Sequence, residues 1–110
     1  NRDISGWNVS SVTDMSWMFS NTPFNGDISR WNVSSVTNMT AMFMNTPFNG
    51  DISRWNVSSV TKMRSMFSQA HSFTGDISGW KISDSCATDN MFYDCPIQEE
   101  HKPTCGGFSV

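Results

Sequence analysis

Few residues in this 110-residue chain have the type and spacing to do chemistry, and most of those recur. Asp27, Asp51 and Asp76, with Asp3 ahead of them, stand at equivalent corners, with Asn25 and Asn49 close by. Oxygen ligands repeated at successive corners could hold calcium between neighbouring units. Each corner supplies a single carboxylate, however, and the plainer reading gives each Asp to the backbone of its own turn. Cys86, Cys95 and Cys105 lie in the last quarter, with His101 between the last two. Their atom types suit zinc, but the tight C-x2-4-C pair is missing. They read instead as disulfide candidates that staple a terminal cap in an oxidising compartment. One of the three must be left over, and the pairing stays open. Asn8, Asn32, Asn38 and Asn56 begin Asn-x-Ser/Thr sequons, which are candidates for glycan attachment on a secreted protein.

Catalysis finds no footing. Serine is abundant, but the two histidines, His71 and His101, fall outside the repeated positions and read as solvated surface residues. Thr13, Thr37 and Thr61 make one hydroxyl column, whereas ice or crystal surfaces call for two. The expectation is a non-enzyme without a cofactor. A net charge of -3 with scattered Lys and Arg argues against nucleic acid, and no apolar run is long enough to span a bilayer. Where the repetition breaks, contact residues become candidates. Trp17 stands where later copies carry Ala41, Ser65 and Asn90, and Met44 replaces Ser20 and Ser68. Interface hot spots are enriched in Trp. Arg30 and Arg54 add a short positive column suited to an acidic partner.

The elements that must position these residues are written three times. Asp27 to Thr37 recurs unchanged as Asp51 to Thr61, and with Gly6 for Arg30 as Asp3 to Thr13. The period is 24 residues, and a looser fourth copy starts at Asp76. A fixed period of this length implies units that bury their apolar residues by stacking. Within copy two, Ile28, Trp31 and Val33 predict a strand with Trp31 and Val33 inward and Asn32 outward. Ser34 and Ser35 predict a helix N-cap, and Val36, Met39, Met42 and Phe43 one apolar helical face. Asn38, Thr40 and Ala41 then fall on its polar face, and Asn45-Thr46-Pro47 ends it. The expected fold is an α/β right-handed leucine-rich-repeat-like solenoid. It has a parallel sheet on one face, short helices on the other, and a cystine-stapled C-terminal cap. Copies are placed near 1–23, 24–47, 48–72 and 73–95, with a cap or tail over 96–110.

The strings Phe24-Asn25-Gly26-Asp27-Ile28-Ser29, Trp31 to Met39 and Met42-Phe43 resemble the roughly 25-residue BspA-like repeat. That repeat is a relative of leucine-rich repeats found in bacterial, mycoplasma and microalgal surface proteins. The resemblance covers residues 1 to about 95 and implies a cell-surface or secreted, adhesive protein with no catalytic residues to carry over. The favoured function is an extracellular structural or adhesive repeat module. Its partners would be other surface proteins or glycans, or itself, head to tail in a filament or coat. The alternative is a module that recognises glycans or proteins through its strand face. The two ends differ. Ser85 and Thr88 stand where Val60 and Met63 stood, so the fourth copy ends the repetition, whereas Asn1-Arg2-Asp3-Ile4 opens inside a corner with nothing over the first turn. An uncovered end of such a stack exposes backbone groups and the core.

Overall fold

A computed structural model of the chain describes residues 3–103. Each copy opens on a turn that its own side chains dictate. Asp27 Oδ1 accepts the backbone N–H of Ser29 at 3.0 Å and its hydroxyl at 2.7 Å, and the Trp31 N–H closes the turn on the Ile28 carbonyl. Asn32 repeats the device with Ser34, and the Val36 N–H closes on the Val33 carbonyl. Short polar side chains that satisfy the backbone locally compete with any strand ladder. Here they win.

The next segment is a run of turns. The Met42 N–H donates to the Met39 carbonyl and the Met44 N–H to the Ala41 carbonyl, while Ala41 and Asn45 hold φ values of 54° and 55°. The same left-handed pair is Trp17 and Asn21, Ser65 and Gln69, Asn90 and Asp94 in the other copies. A right-handed helix cannot contain such residues. The remaining amides leave the unit. Met39, Ala41, Phe43 and Asn45 donate to the carbonyls of Lys62, Arg64, Met66 and Ser68, one copy further on, at 2.8–2.9 Å. Each copy is thus a coil made of turns, sewn to the next coil through alternate amides. We number them coil 1 (3–23), coil 2 (24–47), coil 3 (48–72) and coil 4 (73–95).

The expected α/β solenoid, with its parallel sheet and helices, is overturned. Among the described residues, the one helical element is the 3-10 turn Glu99–His101. Strand pairing amounts to three isolated parallel bridges, Asp14 to Asn38, Asn38 to Lys62 and Lys62 to Ala87. The apolar spacing that predicted a helix arises because successive turns also return Met39, Met42 and Phe43 to the interior. Ala41, placed on a polar helical face by that reading, is fully buried.

The core is a set of columns 24 or 25 residues apart. Phe19, Phe43, Phe67 and Phe92 stack at 5.5–5.7 Å between centroids. Phe24, Phe48 and Phe73 stack beside them at 6.0 and 6.3 Å. Trp31, Trp55 and Trp80 are buried, and each sends its indole N–H to an isoleucine carbonyl of the preceding coil, Ile4, Ile28 and Ile52, at 2.9–3.0 Å. Trp31 and Val33 point inward and Asn32 outward, as the sequence predicts.

Coil 4 is closed by the segment that follows it. Ile97 joins the core, the Ile77 N–H donates to the His101 carbonyl, and the Lys102 ammonium lies 5.4 Å from the Phe92 ring centre. Cys86 and Cys95 are not bridged to each other, and Cys105, the third candidate for the expected cystine staple, lies outside the described residues. Cys86 is a buried core residue that closes the turn from Ser83, the place of Val60 one coil earlier; the sequence reading put Ser85 there. Burial raises the pKa of the Cys95 thiol, which lies 3.6 Å from the Phe73 carbonyl oxygen.

Candidate functional site

The corner carboxylates are spent on turns. Asp3, Asp27, Asp51 and Asp76 each accept from the serine two residues on, and these bonds hold their carboxyls below the ordinary aspartate range. Among the described residues, no group of three or more His, Cys, Asp or Glu side chains could hold a metal ion. His71 is exposed, and both histidines have hydrogen-bond partners. His71 Nε2 lies 3.1 Å from Asp94 Oδ2, and His101 Nδ1 lies 2.9 Å from the Thr74 carbonyl oxygen. His71, Asp94, Cys95 and Pro96 line a shallow cavity of about 280 Å³.

The sequon asparagines divide. Asn8, Asn32 and Asn56 are exposed, each with Oδ1 bonded to the following Ser, whereas Asn38 is half-buried at a bridge between coils. Arg30 and Arg54 are exposed on successive turns, and Met44 is half-buried. Of these, the structure brings Arg54 and Asn56 to the wall of one shallow cavity and leaves the others apart.

What it does gather is the face of coil 1 that looks away from coil 2. Trp7 is 56 % exposed and Met18 37 %, although both belong to columns buried in every later coil. Two cavities of about 540 and 420 Å³ adjoin there and share Trp7 and Met18 as walls. Val9, Val12 and Met15 line the first, with Asp14 at its rim; Ile4, Phe19 and Phe24 line the second. Trp17, equally exposed, belongs to the same coil and holds a φ of 62°. Sequence reasoning singled out Trp17 and the uncovered first turn, whereas repetition alone would bury Trp7 and Met18 like Trp31 and Met42. The missing signal is positional, since a column residue is buried only when a coil lies on both sides of it.

A stack of turn-built coils with one open apolar end defines a repeat protein, with no catalytic constellation among its described residues. The chain belongs to the family described as "Mycoplasma protein of unknown function, DUF285", which it matches over residues 1–103. No curated protein and no solved structure matches it. Among the described residues, no helix is long and apolar enough to cross a membrane.

Proposed function

We propose that the chain is a non-enzymatic structural or adhesive repeat module that acts outside the cell or on its surface. The observation that supports this reading is how the side chains are used. At three successive boundaries the same amides, rings and indoles join coil to coil, so the repeated positions build a spacer. The likeness to BspA-like surface repeats points the same way. Antibodies raised against the purified chain should label intact, unpermeabilised cells that carry it, and beads coated with it should be retained on host surfaces. Labelling only after permeabilisation would overturn the reading.

A ligand-binding reading has one observation in its favour. On the turn face, Arg54, Trp55, Asn56, Gly79 and Lys81 line a cavity of about 310 Å³ with two cationic side chains. An acidic glycan retained by the chain and released by Arg54→Ala would favour this second role.

A further inference from the structure

The turn face changes character at the boundary between coils 3 and 4. The indoles of Trp55 and Trp80 stack there at 6.5 Å between centroids, so the residues flanking each Trp are equivalent. Arg30 and Arg54 precede Trp31 and Trp55, but Gly79 precedes Trp80. Asn32 and Asn56 follow the first two, but Lys81 follows the third. A Cβ placed on Gly79 meets nothing within 4 Å, and Gly79 is one wall of the cavity of about 310 Å³ on this face. Two departures from the repeat thus act together. One leaves out an arginine side chain where the space opens, and the other adds a cation beside it.

Charge sets the sign of an occupant. Arg54 and Lys81 line the cavity, and among the described residues no carboxylate does. Arg64 and Lys102 are engaged with Asp89 and Glu99, whereas Arg54 and Lys81 form no ion pair among the described residues. Asp51, whose Oδ1 is taken by Ser53, feels the Arg54 charge without pairing with it. An arginine fork and a lysine ammonium together fit an anionic oxygen group.

The neutral groups say what else the occupant carries. Ser53 and Ser58 also line the cavity, and their hydroxyls donate to Asp51 Oδ1 and Asn56 Oδ1, each at 2.7 Å. With those hydrogens spent, the serine oxygens can only accept. Acetate and sulfate bring no donor for them, and a hydroxylated ring does. Trp55 is 4 % exposed and stacked on Trp80, which closes off stacking by a nucleobase. Extended peptides add a strand to a sheet edge, but here the Trp55 and Val60 amides close turns on Ile52 and Val57. Small-molecule sites begin at roughly 300 Å³, so the space suits one ring rather than a run of them.

We infer that this cavity is a subsite for a single acidic sugar residue, its carboxylate or sulfate held by Arg54 and Lys81 and its hydroxyls donating to Ser53 and Ser58. The inference rests on the ligand-binding reading above and narrows it to one chemistry. The test titrates the isotope-labelled 110-residue chain by NMR, following the backbone amides of Gly79 and Lys81 and the side-chain amide of Asn56. Glucuronic acid or glucose 6-sulfate is expected to shift these signals to saturation, and the tighter of the two names the anionic group. Glucose, acetate and inorganic sulfate should bind at least about tenfold more weakly, and Arg54→Ala and Lys81→Ala should each weaken the acidic sugar about tenfold. Gly79→Arg restores the residue that coils 2 and 3 carry and adds a positive charge, yet it should abolish binding by filling the space. Tighter binding by Gly79→Arg, or sulfate bound as well as the sugar, would mean a diffuse positive surface and overturn the inference. Triglutamate bound better than either sugar would name an acidic protein segment and overturn it too. Retention of an acidic polysaccharide that needs Arg54, without shifts from either sugar, sinks this subsite alone; no retention of any acidic glycan sinks the ligand-binding reading with it.

Discussion

At the scale of single residues, the turns impose demands that the repeat obeys. A Cβ on Gly50 would lie 2.8 Å from the Phe48 ring, which is buried between the rings of Phe24 and Phe73, whereas a Cβ on Gly79 meets nothing within 4 Å. Gly50→Ala is expected to cost about 1–3 kcal/mol and Gly79→Ala almost nothing, as read by urea unfolding. The sequence agrees, because Arg30 and Arg54 replace Gly at the position of Gly79 but no residue replaces Gly at the corner of Gly26, Gly50 and Gly75. The corner aspartates give a second test. Backbone and hydroxyl hydrogen bonds from Ser29 hold Asp27 below its ordinary pKa of 3.8, and Asp3, Asp51 and Asp76 behave alike. A depressed folded pKa means that the unfolded chain binds protons first as pH falls. The stabilisation is complete above about 3.8 and is lost as pH drops through the folded values. Thermal midpoints should therefore be level from about pH 7 to 5 and decline below about pH 4.

At the scale of the element, one substitution separates a helix from a coil of turns. Gln69 is exposed and holds a φ of 58°, while its N–H donates to the Tyr93 carbonyl at 2.7 Å. In an exposed helix interior, Gln→Gly would lose about 1 kcal/mol. In a left-handed residue the sign reverses, and Gln69→Gly should gain about 1 kcal/mol with the bond to Tyr93 retained. A drop in the thermal midpoint would contradict the coil. This difference marks what the sequence could and could not convey. The period, the stacking, the aromatic columns and the Asp and Asn turns are all written in residue types. The path between Val36 and Thr46 is not, because inward residues at three- and four-residue intervals suit a helix and a chain of turns equally well. Asn21 and Asn45 carried a hint, since Asn tolerates a left-handed backbone, but it was read as the end of a helix. The site was half legible: Trp17 stood out by type, whereas Trp7 and Met18 differ from their buried equivalents in place alone.

At the scale of the whole molecule, stability is shared along columns and accessibility is concentrated at one end. Phe43 stacks between Phe19 and Phe67 and is fully buried, so Phe43→Ala should cost about 3–5 kcal/mol and unfold coils 1 to 3 together. Peroxide should modify Met18 first and Met44 next, while Met39, Met42, Met63 and Met66 are spared until the chain unfolds. The uneven bonding between coils has an electrical consequence as well. In an α-helix aligned peptide units leave the first turn positive. Here four amides per boundary point toward coil 4 and two point back, so the balance of partial charge between coils runs in the opposite sense. Among the described coils the negative side of that balance lies toward coil 1, and a lysine or arginine set beside its outward carbonyls would be held by the backbone itself.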